Sequence, residues 1–120
     1  MTYRYTIDRI PPSNNKYIGR NARWEYGKVK SEWAQLIKCC CRPVPKAPLK
    51  KAVVELTYYF PDRKRRDPDN YSGKMILDGL VRAGILVDDS FDCIILSIRA
   101  GYDKKNPRTE ITITEVDDIV

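Results

Sequence analysis

The residues able to do chemistry crowd into one stretch, Arg63-Lys64-Arg65-Arg66-Asp67-Pro68-Asp69-Asn70. Four consecutive cations abut two carboxylates separated by a proline. A residue before proline is driven toward extended backbone, which predicts an extended Asp67. Side chains two apart on an extended segment project to the same side, so Asp67 and Asp69 are expected to point together. Like charges held that close repel unless a cation lies between them. Oxygen-only ligands suit Mg²⁺ or Mn²⁺. Phosphate suits the same place. Asp69 or Asn70 should open a helix, whose first N–H groups and dipole favour anions. Arg63, Lys64, Arg65 and Arg66 can neutralise DNA phosphates on both sides of a cleavage point. The plainer reading pairs Asp67 with Arg66 and makes Asp69 a helix cap.

A second acidic pair, Asp88-Asp89, stands at the far end of the helix that follows. Alone it reads as a polar turn before a strand. Joined to the first pair by a helix, it offers a third carboxylate if the chain returns. The segment from Tyr71 to Gly84 is 14 residues, or about 21 Å if all helical. Closing that gap needs a shorter or tilted helix, or a strand returning beside the D-P-D segment. Lys74 falls one turn into the helix. It reads either as a salt bridge to Asp78 or as a cation stabilising charge on a reacting phosphate.

The elements that must position these groups follow from periodicity. Tyr3 to Arg9 alternates, with Tyr3, Tyr5 and Ile7 on one face of a strand. Pro11-Pro12-Ser13-Asn14-Asn15 ends it with turn chemistry. From about Arg23 to Arg42, Val29, Trp33, Leu36, Ile37 and Cys40 form a helical stripe that Pro43 and Pro45 terminate. Ala52 to Phe60 reads as a central strand. The helix over Tyr71–Ala83 buries Ile76, Leu77, Leu80 and Val81, with Gly84 as its C-terminal cap. Phe91–Ala100 is a third strand, Gly101–Pro107 a basic hairpin-type loop carrying Lys104 and Lys105, and Arg108–Val116 a fourth strand. The order β-α-β-α-β-β over residues 1–120 predicts one α+β domain, a small mixed sheet with two helices packed on one face.

Composition removes several alternatives. The chain has no histidine, which excludes Ser-His-Asp and Cys-His catalysis and any His-ligated zinc. Cys39, Cys40 and Cys41 sit about 100° apart on a helix and cannot converge on one metal, and no C-x-x-C spacing occurs. There is no apolar run long enough to cross a membrane and no signal-peptide core, so a cytoplasmic protein is expected. Lys plus Arg number 22 against 16 Asp plus Glu, a net charge of +6 that favours an anionic partner.

These residues together resemble the RusA family of Holliday junction resolvases. The resemblance runs through Pro61 to Asn70, then Lys74 and Leu77-Asp78-Gly79-Leu80, then Ala83-Gly84-Ile85-Leu86-Val87-Asp88-Asp89. Pro11 to Asn15 and Thr109 to Glu115 resemble the family's first and last elements. The chain departs from the pattern in carrying one extra residue between Asn70 and the helix lysine. The resemblance implies a homodimer that nicks four-way DNA junctions with Mg²⁺. It implies Asp67, Asp69 and Asp89 as the essential carboxylates, with Asp88 beside them and Lys74 as the catalytic cation. Asn14, Asn15, Lys104 and Lys105 join Arg63 to Arg66 as expected DNA contacts. Trp33 and its helix are candidates for the dimer seam. No membrane and no nucleotide cofactor are implied. The alternatives are a non-catalytic branched-DNA-binding module and a structural dimer whose acidic pairs are surface charge.

Overall fold

The computed structural model describes residues 1–14 and 22–119. Asn15 lies outside them. The chain runs β1 (Thr2–Ile7), α1 (Ala22–Cys40), β2 (Ala52–Phe60), a 3₁₀ turn (Pro68–Tyr71), α2 (Lys74–Arg82), β3 (Ile94–Tyr102) and β4 (Arg108–Glu115). The strands form one open mixed sheet in the order β1-β4-β2-β3.

β2 alternates buried and half-buried residues along its whole length. Its neighbours keep the same phase: Leu56 lies beside Ile111 of β4 and Ile98 of β3, and Tyr5 of β1 also faces Ile111. One sheet face therefore carries Tyr5, Ile7, Val54, Leu56, Tyr58, Ile111 and Ile113. The helices bury Trp33, Ile37, Ile76, Leu77 and Leu80 in the same core cluster. Burying one such side chain is worth about 1.5–3 kcal/mol, so this single layer contact carries the fold.

Sequence expectations need correction at four places in the fold, the first being α1. Trp33 is buried in this core and has no free surface to offer a partner. The stripe of α1 ends on buried Cys41, with Cys40 exposed. Second, β3 starts at Ile94, because the Ser90 carbonyl accepts from the N–H groups of both Cys93 and Ile94. That turn consumes residues 91–93. The strand then runs on to Tyr102 because Phe60 still pairs with it.

Third, β3 and β4 do not form a hairpin. β3 pairs with β2 in parallel, and β4 pairs with β2 and β1 antiparallel. The basic loop instead carries the chain across the end of β2, where the Asp103 N–H donates to the Phe60 carbonyl at 2.8 Å. Asp103 and Glu110 hold Arg108 from both sides at 2.7 and 2.8 Å. The Arg108 guanidinium also lies 4.0 Å from the Tyr59 ring centroid.

Fourth, the helix expected over Tyr71–Ala83 is two pieces. Gly73 has φ 79°, a left-handed conformation that breaks the run. Tyr71 is pinned on the 3₁₀ side by edge contact with Phe60, at 5.2 Å between centroids. The C-terminal end matches expectation: Gly84, φ 78°, closes α2, and the Ile85 N–H returns to the Leu80 carbonyl at 3.0 Å.

Candidate active site

Asp67 precedes Pro68 and is extended, at φ −104° and ψ 137°, as the proline requires. Past it the chain turns into the 3₁₀ segment, so the two-apart rule for extended backbone stops at Asp67. Asp67 and Asp69 are both exposed. Neither caps α2, whose N-cap is Gly73. The Ser72–Gly73 break hands the chain from one helix type to the other.

The four cations divide into two sets. Arg66 is committed: it bonds Asp62 at 2.8 Å and stacks over the Phe60 ring at 4.2 Å. That contact, with the Lys64 N–H on the same carboxylate, holds Asp62 below the ordinary aspartate range; the Lys64 backbone bond is the larger cause. Arg63 stacks over Tyr102 at 4.5 Å. Lys64 is exposed, and the Arg65 side chain is 90% exposed with a 3.4 Å contact to Asp67. The partner of Asp67 is thus Arg65, not Arg66. Exposed pairs of this kind contribute about 0–1 kcal/mol, so Arg65 is free to exchange its carboxylate for a phosphate.

Lys74 opens α2 and is exposed. Asp78, its expected partner, takes Lys30 of α1 instead at 3.1 Å. Lys74 makes no ion pair among the described residues. Asn14 has a role that its residue type did not reveal. Its amide donates to the Asp69 carbonyl at 3.1 Å and to the Ser72 hydroxyl at 3.3 Å. It ties the Pro-Pro-Ser-Asn element to the acidic turn. Lys104 and Lys105 are exposed on the loop that crosses the end of β2.

Asp67 borders a small apolar cleft with Tyr58, Phe60, Tyr71, Ile98, Arg99 and Ala100. Asp89 borders a different one, with Leu77, Phe91, Ile94, Ile95 and Leu96. Asp88 is exposed beside it. The first cleft sits at the C-terminal half of β3 and the second at its N-terminal half. In sequence α2 lies between the two acidic pairs, and its nine residues rise about 13 Å. Among the described residues no three Asp, Glu or Cys side chains gather closely enough to hold one metal ion. The donor chemistry suits Mg²⁺ or Mn²⁺, but one chain does not bring Asp89 to Asp67 and Asp69.

The family profile described as Endodeoxyribonuclease RusA matches residues 9–114. The chain belongs to the RusA family. Crossover junction endodeoxyribonuclease RusA of Escherichia coli strain K12 is 32% identical over 123 aligned positions, covering 96% of both chains. The RusA proteins of Enterobacteria phage 82 and Shigella sonnei strain Ss046 show the same identity and coverage. The RusA match spans every element from the end of β1 to β4, so it includes both acidic pairs and the cationic run. Arg99 escaped the sequence reading. It is a single cation in an apolar strand, and only the register of β3 against β2 places it beside the Asp67 cleft.

Proposed function

We propose that the protein is a structure-selective endodeoxyribonuclease that resolves four-way (Holliday) DNA junctions by paired, Mg²⁺-dependent phosphodiester hydrolysis in recombination and repair. One observation carries the reading. In a chain of the RusA family, the exposed carboxylates Asp67 and Asp69 lie among cations with no strong internal partner, namely Lys64, Arg65 and Lys74.

Lys64 and Arg65 bind the phosphates that flank the cut, and Arg63 extends that surface from its seat on Tyr102. Lys104 and Lys105 add charge across the end of β2. Lys74 stabilises the negative charge that develops on the scissile phosphate. Asn14 fixes the backbone of the acidic turn, which sets where Asp69 stands. Asp67 and Asp69 would supply carboxylate oxygens from one cleft, and Asp89, with Asp88 beside it, would join them only where the two acidic clefts are brought together. A divalent ion held by these carboxylates would supply Lewis acidity and an activated water. A four-way junction has approximate two-fold symmetry, and a homodimer with matching symmetry presents one site to each of two opposed strands. No helix among the described residues is long and apolar enough to cross a membrane, in keeping with a cytoplasmic enzyme on DNA.

The test is cleavage of an end-labelled synthetic four-way junction, with and without Mg²⁺, beside a linear duplex of the same sequence. Symmetric, Mg²⁺-dependent nicks in the junction alone, lost in Asp69→Asn protein that still binds, are the expected result. Binding without nicks would reduce the protein to a branched-DNA-binding module. Equal cutting of both substrates would remove the junction selectivity.

A further inference from the structure

The stretch that leads from the end of α1 into β2 carries a charge pattern that the acidic site does not use. Residues 38–51 hold Lys38, Arg42, Lys46, Lys50 and Lys51 and no Asp or Glu. Five cations with no carboxylate among them nearly equal the net charge of the whole chain, +6. Burial in this stretch repeats every fourth residue. Cys41, Pro45 and Leu49 are buried, and the residue after each, Arg42, Lys46 and Lys50, is exposed.

The stretch is irregular yet firmly held. The Tyr5 hydroxyl donates to the Pro43 carbonyl at 2.7 Å. The Leu49 N–H donates to the Ile85 carbonyl at 2.9 Å, and the Leu49 carbonyl accepts from the Val87 N–H at 3.0 Å. Pro43, Pro45 and Pro48 fix φ at three further points. Anchors of this kind do the structural work without the cations. None of the five makes an ion pair among the described residues. Lys51 gives its ammonium to the Asp92 carbonyl at 2.8 Å, while Lys38, Arg42, Lys46 and Lys50 project into solvent. Crowded like charges repel and cost the free protein stability. Presented from an ordered backbone, they suit a polyanion, because little ordering is left to do on binding.

The position of this strap selects the polyanion. Leu49 pairs beside Leu86, so the strap lies against the segment that runs into Asp88 and Asp89. It precedes the N-terminal end of β2, whereas Arg63 to Arg66 follow the C-terminal end. The nine residues of β2 span about 30 Å. The two basic surfaces are therefore separate, and a branched DNA with several duplex arms can engage both.

We propose that residues 38–51 form a second phosphate-binding surface, which grips a duplex arm of the branched DNA beside Asp88 and Asp89 through Lys46 and Lys50, with Lys38 and Arg42 extending the contact. The ligand rests on the resolvase reading above; the surface rests on the strap's own charge and anchoring.

The deciding experiment measures binding of a synthetic four-way junction by Lys46→Gln/Lys50→Gln protein across a range of salt. Each phosphate contact contributes about 0.9 to the slope of log affinity against log salt, so the slope should flatten by about two units. Lys46→Arg/Lys50→Arg protein should keep the wild-type slope. The unfolding midpoint of the Gln variant should hold or rise, because both lysines are exposed and lack an ion-pair partner. A fall would make them structural and overturn the proposal, as would an unchanged slope. Acetylation of the wild-type protein, read lysine by lysine by mass spectrometry, separates contact from net charge. Lys46 and Lys50 should react more slowly with junction bound, and equal reaction with and without it overturns the proposal. Sites this far apart act independently, so adding Arg65→Ala to the Gln variant should sum the two losses of slope. Protein that binds the junction without nicking it overturns the nuclease reading alone, and the slopes still decide the strap. Protein that binds no DNA overturns both.

Discussion

Asn14 shows how one amide can matter through position. Its side-chain amide donates to the acidic turn at the Asp69 carbonyl and the Ser72 hydroxyl. Asn14→Ala should therefore lower junction cleavage about tenfold or more, on the order of a lost positioning contact, while junction affinity at matched salt changes little. An equal loss of both would instead make Asn14 a phosphate contact. The thiols differ as sharply. Burial pushes the Cys41 thiol up to about 12, with Cys40 a lesser cause, while Cys39 and Cys40 are exposed. The thiolate is the reactive form. A thiol reagent at mildly alkaline pH should label Cys39 and Cys40 at once and reach Cys41 only on unfolding; rapid labelling of Cys41 in the native protein would contradict its burial. The same shift has a sign for stability. In the unfolded chain a cysteine ionises near pH 8.5, below its folded value here. The protection is complete below about pH 8.5 and is lost as pH rises toward the folded value. Tyr5, also raised to about 12 by burial first, acts in the same direction from about pH 10 upward. Denaturation midpoints should fall on the alkaline side.

At the scale of elements, the helix pair is a tight constraint. A Cβ on Gly79 would stand 2.8 Å from Cγ1 of Ile37, so α1 and α2 approach as closely as a bare backbone allows. Ala is the better helix former by about 1 kcal/mol, yet overpacking of this kind costs about 1–3 kcal/mol. Gly79→Ala should lower stability on balance, with a thermal midpoint down by roughly 3–8 °C; a rise would mean that Ile37 yields freely. The elements that periodicity made legible were those with an unbroken pattern: β1, β2, β4 and the stripe of α1 around Trp33 and Ile37. Alternation and the i, i+4 stripe report burial directly, and the tertiary structure agrees with both. What escaped depended on contacts distant in sequence. The break at Gly73 follows from a backbone conformation that any glycine permits and only the packing of Tyr71 and Leu56 demands. The crossing of β3 to β4 over the end of β2 needs a pairing choice that local alternation does not encode. The site was legible as a motif and as an extended Asp67. The division of the cations was not, because Phe60 and Asp62 capture Arg66 only once β2 ends where it does.

For the whole molecule, that division separates two kinds of charge within the net +6. Cations held by the protein's own carboxylates and rings build the scaffold, and exposed ones are available to phosphate. Arg65 belongs to the second kind and Arg66 to the first. Each phosphate contact releases counterions, so log affinity falls with log salt by about 0.9 per contact on duplex arms. Arg65→Ala should flatten that slope by about one unit and leave the unfolding midpoint nearly unchanged, since its exposed pair with Asp67 is worth little. Arg66→Ala removes the partner of Asp62 and the cover over Phe60, so it should lower the unfolding midpoint while moving the slope less. The reverse pattern, with Arg66 setting the slope and Arg65 the stability, would show that the turn is rebuilt when DNA binds and that its free-state ion pairs are exchanged for phosphate. Titrations of the two variants across the same salt range on one four-way junction, beside their denaturation curves, separate the cases, because scaffold and interface draw on different arginines only if the free and bound turns are the same.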